Sequence, residues 1–224
     1  MNINSFIDHT LLKPTAILQE VDTICAEAVE YGFASVCIPP IYVERAAANV
    51  KGSKVKVTTV IGFPFGYTYM ETKLEETKQA LGNGANEIDM VMNIAALKNG
   101  DLEYLKKEVA AVLKEVRNNN AILKVIIESG ILLPAEIVAC CDIYAEQGVD
   151  FVKTSTGYAE KGATIEAVQL MRQHLPSAIG IKASGGIRTY EFAKQLIDAG
   201  ATRLGCSASI AIVKGEAGNG TTGY

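Results

Sequence analysis

The chain alternates between short runs in which nearly every residue is apolar and longer segments in which apolar residues recur every three or four positions. Runs of the first kind are typical of strands buried on both faces, and the longer segments are typical of helices that cover them. Helices are predicted at 17–31, 42–50, 72–81, 102–117, 135–147, 164–174 and 190–199. Strands are predicted at 5–10, 34–38, 55–61, 87–92, 122–127, 150–154, 178–182 and 203–206.

This regular alternation of strand and helix predicts a parallel sheet that helices cover. Eight strand–helix units in 224 residues favour an α/β fold with a single (β/α)8 TIM barrel. An open doubly wound sheet is the alternative, although the sequence lacks a G-x-G-x-x-G turn after its first strand. The barrel is predicted to occupy residues 1–214 as one domain, followed by a flexible, glycine-rich tail at 215–224.

Composition restricts the partners without changing the fold. The net charge of −4 and the pI near 5.3 argue against a nucleic-acid or anionic-membrane surface. No apolar run approaches the roughly 18 residues that span a bilayer, and the N-terminus does not resemble a signal peptide. The five cysteines lack C-x-x-C spacing, which favours reduced thiols and a cytoplasmic protein. No Cys/His cluster suggests a metal, and we expect no cofactor.

Lysines end two consecutive predicted strands. Lys153 ends the sixth strand and precedes a Thr-Ser-Thr-Gly turn, and Lys182 ends the seventh. The active sites of barrels lie at the C-terminal ends of their strands, so two ammonium groups would lie side by side where water is scarce. There, desolvation and a neighbouring cation can lower a lysine pKa from about 10.4 to about 7 or 8, which leaves an amine able to attack a carbonyl. The alternative for Lys153 alone is a strand-end lysine that extends to water.

Asp89 lies within the otherwise apolar fourth strand. It would add a carboxylate to the same end of the barrel as the two lysines. It could pair with Lys124 or Lys182, act as a proton carrier, or do both. Together these residues predict Schiff-base chemistry, with a lysine nucleophile, a second lysine that tunes it and a carboxylate that manages protons.

Glycine- and hydroxyl-rich turns follow each of the last three strands, at 156–157, 184–188 and 205–207. Barrels bind phosphate at these positions with backbone N–H groups and helix N-termini. Arg188 would add a charge-assisted contact. The turns therefore predict a phosphorylated substrate.

Six stretches, in this order along the chain, resemble the motifs of the deoxyribose-phosphate aldolase family. They are 8–14, 62–64, 87–91, 123–128, 152–157 and 182–188, and the likeness extends from residue 8 to about residue 209. The resemblance implies a class I, metal-free aldolase, a carbon–carbon lyase of deoxyribonucleotide catabolism. Such an enzyme reversibly cleaves 2-deoxy-D-ribose 5-phosphate to acetaldehyde and D-glyceraldehyde 3-phosphate.

The resemblance also implies a role for each matching residue. Lys153 would form the Schiff base, Asp89 and Lys182 would exchange protons, and Tyr224 on the tail would assist proton transfer. The implied partners are a small phosphorylated sugar and aldehydes, with a homodimer as the possible assembly. Ala208 stands where family members often have a second serine. The substrate-binding residues that the resemblance implies are Asp8, Lys124, Thr154, Thr156, Gly157, Gly185, Gly186, Arg188, Gly205 and Ser207.

Three other functions stay open at this point. A different lysine-dependent barrel aldolase would act on a keto acid or a ketose phosphate. A sugar-phosphate isomerase would use Glu128 as its base. A barrel without catalytic activity would only bind a sugar phosphate.

Overall fold

A computed structural model describes residues 2–215 and contains eight parallel strands in sequence order. The eighth strand pairs with the first, so the sheet is closed. The predicted single (β/α)8 TIM barrel is confirmed, and the open sheet is excluded. The strands are β1 (Ile7–Thr10), β2 (Ser35–Ile38), β3 (Lys56–Ile61), β4 (Glu87–Val91), β5 (Ile122–Ile126), β6 (Phe151–Lys153), β7 (Gly180–Ser184) and β8 (Arg203–Cys206).

Helices surround this barrel, and every predicted helix is present. Two additional short helices, Ile94–Lys98 and Ser209–Lys214, were not predicted. None of the helices within residues 2–215 is both long enough and apolar enough to cross a membrane. The helices are α1 (Leu18–Tyr31), α2 (Val43–Asn49), α3 (Met70–Gly82), α4 (Ile94–Lys98), α5 (Leu102–Asn118), α6 (Pro134–Gln147), α7 (Ile165–His174), α8 (Tyr190–Asp198) and α9 (Ser209–Lys214).

The strands are buried on both faces, and β4 shows how the two faces differ. Ile88 and Met90 are fully buried and belong to the main apolar core. Glu87 and Asp89 alternate with them and bond to side chains from other strands. Because successive side chains in a strand point to opposite faces, the apolar pair packs outward against helices and the acidic pair lies inside the barrel.

The strand register brings the predicted site residues next to one another. Lys153 lies directly opposite Lys182 in the pairing of β6 with β7. Asp89 lies opposite Lys124 in the pairing of β4 with β5. The prediction that the two lysines are neighbours is confirmed. The prediction that Lys182 ends its strand is wrong, because β7 continues to Ser184.

The predicted tail lies almost entirely outside the described residues. Its first residue, Gly215, has φ 73° and is the C-terminal cap of α9. Tyr224, the proposed catalytic residue of the tail, lies outside the described residues.

Candidate active site

Charged side chains fill the interior of the barrel and form one connected cluster, which we call the ion network. Each member is joined to at least one other by an ion pair, and all are buried except the guanidinium of Arg203, whose side chain is 13% exposed. The three carboxylates come from strands β1 and β4, and the four cations come from β5, β6, β7 and β8. The members are Asp8, Glu87, Asp89, Lys124, Lys153, Lys182 and Arg203.

Asp89 is the centre of the ion network because it bonds to all three lysines. Its Oδ2 accepts from Lys153 Nζ at 2.9 Å and from Lys182 Nζ at 2.7 Å. Its Oδ1 accepts from Lys124 Nζ at 2.8 Å. Burial alone would raise the pKa of Asp89, but these three ammonium groups together hold it well below its ordinary value. Asp89 is therefore an anion at neutral pH.

The other two carboxylates favour particular cations. Asp8 pairs with Lys182, and its Oδ1 accepts from Arg203 Nη1 at 2.6 Å. Glu87 Oε2 lies 2.6 Å from Lys124 Nζ and 3.0 Å from Arg203 Nη1. Asp8 thus links Lys182 to Arg203, and Glu87 links Lys124 to Arg203.

Within residues 2–215, Lys153 is the cation of the ion network with the fewest carboxylate partners. It reaches only Asp89 among these residues and shares it with two other lysines, whereas Lys182 also pairs with Asp8 and Lys124 also pairs with Glu87. Burial and the charge of Lys182 lower the pKa of Lys153, and Asp89 offsets only part of that effect. Burial opposes the charge of Lys182 too, but Asp8 and Asp89 raise its pKa well above the ordinary value. The two neighbouring lysines therefore shift in opposite directions.

A cavity of about 610 Å³ lies at the end of the barrel where the strands end. The glycine-rich turns after β6, β7 and β8 line it, as the sequence predicted, and α1 with the end of β1 forms its other wall. His9 lines this wall, and its Nε2 lies 2.8 Å from Glu27 Oε2. Neither Lys153 nor Asp89 is part of the lining. The predicted substrate-binding residues that do line the cavity are Gly157, Gly185, Gly186, Arg188, Gly205 and Ser207.

The loop between β6 and α7 and the turn after β7 approach each other so closely that side chains are excluded at the contact. Gly185 has φ 85°, and a Cβ there would lie 3.0 Å from the Cα of Gly162. A Cβ on Gly162 would lie 2.2 Å from the carbonyl oxygen of Gly185. Helix α8 begins just after this contact, with Thr189 as its cap. Backbone N–H groups that converge beside a helix N-terminus favour an anion.

Comparison with known proteins identifies the family of the chain. The sequence profile of the DeoC/LacD family aldolases matches residues 4–218. The chain belongs to this aldolase family. It is 50% identical over 220 residues to a deoxyribose-phosphate aldolase of Streptococcus gordonii, which covers 98% of this chain and 99% of that protein. A deoxyribose-phosphate aldolase of Brevibacillus brevis is 49% identical over 224 residues, and the alignment covers both chains in full.

A solved structure shares both the fold and part of the sequence. The tetrameric deoxyribose phosphate aldolase from Aeropyrum pernix is similar with a TM-score of 0.89 and 33% identity, and the match covers 95% of this chain and 89% of that one. The barrel fold is therefore shared with a deoxyribose phosphate aldolase.

Two predicted substrate-binding residues of this aldolase lie in neither the ion network nor the cavity lining. The Thr156 hydroxyl and N–H both donate to the carboxylate of Glu128, the N–H at 3.1 Å to Oε1. Thr154 is buried, and its Oγ1 lies within hydrogen-bonding distance of the N–H and the carbonyl of Ser184. In the described structure both threonines hold the turn after β6 in place.

Sequence reasoning missed two members of the ion network, Glu87 and Arg203. Each is the first residue of its strand, a position where a charged side chain ordinarily meets water. Thr58 lies beside Glu87 inside the barrel, because its hydroxyl donates to Glu87 Oε2 at 3.1 Å. The available signal was weak, since only the closed barrel shows that these strand starts face inward.

Proposed function

We propose that this chain is a deoxyribose-phosphate aldolase that works through a Schiff base on Lys153. The observation that carries the proposal is the position of Lys153, whose one carboxylate partner in the described part of the chain, Asp89, also pairs with two other lysines. Curated relatives about half identical to this chain bear the name of this activity. The proposal makes the chain a class I aldolase, in which the protonated imine accepts the electrons of the broken bond.

In the first step, the neutral amine of Lys153 attacks the aldehyde carbon of open-chain 2-deoxy-D-ribose 5-phosphate. The resulting carbinolamine loses water and becomes an iminium ion. The iminium places a fixed positive charge where the Lys153 ammonium would be, and Asp89 Oδ2, 2.9 Å from Nζ, stabilises it. Preorganised charge of this kind lowers the barrier without reorganisation during the reaction.

The carbon–carbon bond then breaks between C2 and C3 of the sugar, since acetaldehyde carries away two carbons and the phosphorylated product keeps three. The 3-hydroxyl proton passes to the Asp89–Lys182 pair, and the bonding electrons move into the enamine on Lys153. Protonation of the enamine and hydrolysis of the regenerated iminium release acetaldehyde. The supporting geometry is the 2.7 Å contact of Lys182 Nζ with the same Asp89 oxygen that faces Lys153.

The phosphate of the substrate is proposed to bind in the glycine-lined cavity. Gly157 follows Lys153 by four residues, so one turn joins the reactive strand to the cavity wall. Binding energy from the phosphate can then orient the distant aldehyde. An unphosphorylated deoxyribose should therefore react more slowly.

The decisive experiment is reductive trapping. The protein is incubated with acetaldehyde and sodium borohydride, digested, and searched by mass spectrometry for an ethylated lysine. Modification of Lys153, together with loss of trapping in Lys153→Arg, is expected. Modification confined to another lysine would refute the assignment, and no modification at all would refute Schiff-base chemistry.

The proposal extends to the setting of the enzyme. We propose that it acts in the cytoplasm in deoxyribonucleotide catabolism and that it forms a homodimer. All five cysteines are unpaired and buried, which suits a reducing compartment, and the Aeropyrum pernix relative assembles as a tetramer. Light scattering after size exclusion would measure the mass, and a monomer at micromolar concentration would contradict the dimer.

A further inference from the structure

Arg203 and Glu87 lie away from the catalytic mouth but belong to the same ion network. Both are first residues of their strands, whereas the reactive end of a barrel is at the C-terminal ends. Arg203 spans the space between Asp8 and Glu87, with contacts of 2.6 and 3.0 Å from Nη1. Its guanidinium carbon also lies 5.4 Å from the centre of the Phe151 ring. The side chain is thus held on several sides within the barrel.

The charges of the ion network do not balance if every member is ionised. Its carboxylates are Asp8, Glu87 and Asp89, against the four cations Lys124, Lys153, Lys182 and Arg203. A buried unbalanced charge is costly, and ionisable groups relieve it by losing or gaining a proton. With one lysine neutral, three positive charges face three negative charges.

The distribution of contacts selects which lysine becomes neutral. Arg203 always carries its charge, and it contacts both Asp8 and Glu87. Lys182 also pairs with Asp8, and Lys124 also pairs with Glu87. Lys153 touches neither of them, so it is the cation whose charge is least compensated.

We propose that Arg203 and Glu87 are positioning residues whose opposite charges set the protonation of Lys153 without touching the substrate. This inference rests on the proposed function, because it assumes that the neutral amine of Lys153 is the reactive species. Arg203 supplies the excess positive charge that Lys153 relieves by giving up its proton. Glu87 supplies the negative charge that keeps Lys124 and Arg203 ionised. Their removal must therefore shift the reaction in opposite directions on the pH scale.

Other ionisable groups around Lys153 bear on the same protonation. From the ion network these are Asp89 on β4, Lys182 on β7, Asp8 on β1 and Lys124 on β5. Cys37 on β2 is fully buried, and burial raises the pKa of its thiol. Glu128, after β5, is buried and bonded to Thr156, and burial raises its pKa as well. None of these side chains is itself replaced in the Arg203 and Glu87 variants.

The test measures the rate of borohydride trapping with acetaldehyde, and kcat/KM for cleavage, as functions of pH. Both should rise with pH as Lys153 loses its proton. Arg203→Met should move the midpoint upward by about one pH unit or more, because a cation is removed. Glu87→Gln should move it downward, because an anion is removed. The double variant should return the midpoint close to that of the wild type.

Two controls separate charge from packing. Arg203→Lys keeps the positive charge and should keep the midpoint in place. Arg45→Met removes an arginine from an exposed pair with Asp22 and should change nothing in the pH profile. If Arg203→Met does not fold, Glu87→Gln still tests the inference through the sign of its shift.

The outcomes distinguish this inference from the proposed function. Labelling of Lys153 with no shift, or with shifts of the same sign in Arg203→Met and Glu87→Gln, would overturn the positioning roles and leave the aldolase mechanism standing. Failure to label Lys153 in the wild-type protein would instead overturn the proposed function. Opposite shifts that cancel in the double variant would support the inference.

Discussion

Replacement of Lys153 by methionine should make the folded protein more stable, although it removes the residue proposed to react. Lys153 is 1% exposed, and burial together with the charge of Lys182 lowers its pKa. A buried lysine of this kind lowers the stability of the folded state by about 1.4 kcal/mol for each unit of pKa shift, at pH values below both pKa values. Methionine has a similar volume and carries no charge.

The partner that the substitution leaves behind is still satisfied. Asp89 keeps Lys124 Nζ at 2.8 Å and Lys182 Nζ at 2.7 Å. The free energy of unfolding should therefore rise by about 1 to 4 kcal/mol at neutral pH, the range for replacing buried ionic groups with apolar ones. Proton linkage gives a second signature. Between the lowered pKa and about 10.4, the unfolded chain binds more protons than the folded protein, so wild-type stability rises with pH and the advantage of the variant shrinks.

Lys73 offers a matched control, because it is also a fully buried lysine. Its Nζ donates to Glu108 Oε1 at 2.7 Å and to the carbonyl of Val91 at 2.8 Å. No second cation pairs with Glu108 among the described residues. Lys73→Met leaves both acceptors buried without that donor and should destabilise the protein by about 3 to 5 kcal/mol.

The assay is urea unfolding followed by far-ultraviolet circular dichroism, since the chain contains no tryptophan for fluorescence. Wild type, Lys153→Met and Lys73→Met are compared at several pH values between neutral and about pH 10. Opposite signs for the two variants are expected. A loss of stability in Lys153→Met similar to that in Lys73→Met would show that Lys153 is a structural ion-pair residue, and the reasoning about its pKa would fail.

Three further predictions follow from the site. Asp89→Asn should lower kcat about 100-fold or more while trapping at Lys153 stays detectable; an unchanged kcat would remove Asp89 from the mechanism. Gly185→Ala forces a side chain towards Gly162 at φ 85°, which costs about 1 to 3 kcal/mol of strain. The KM should therefore rise for the phosphorylated sugar but not for deoxyribose itself. Equal effects on both KM values would show that this turn does not bind the phosphate. Incubation with EDTA should leave the cleavage rate unchanged, and a loss restored by a divalent metal would refute the iminium mechanism.

The fold could be predicted because a parallel barrel leaves a strong pattern in its sequence. Each strand is covered by helices on one face and by other strands on the other, so apolar residues run through it without alternation. The short helices α4 and α9 escaped prediction because five or six residues contain too few turns for apolar periodicity to appear. The three glycine-rich turns do line one cavity, as predicted. That this cavity binds phosphate stays a prediction.

The site could be predicted only where a charged residue interrupts an apolar run. Asp89, Lys124 and Lys182 stand out in this way, and the structure brings all three together. Glu87 and Arg203 begin their strands and do not stand out. The substrate-binding role of Thr156 stays a prediction. Its N–H donates to Glu128, a contact between the ends of β5 and β6 that spacing along the chain does not indicate.

The difference between Lys153 and Lys182 depends on a residue that is distant from both in sequence. Side by side on β6 and β7, each lysine lowers the proton affinity of the other to a similar degree, so their adjacency cannot determine which one becomes neutral. Asp89 does not decide it either, because one of its oxygens serves both. Asp8 decides it, because this carboxylate pairs with Lys182 and not with Lys153. Closure of the barrel through β1 therefore turns two neighbouring lysines into a cation and a candidate nucleophile.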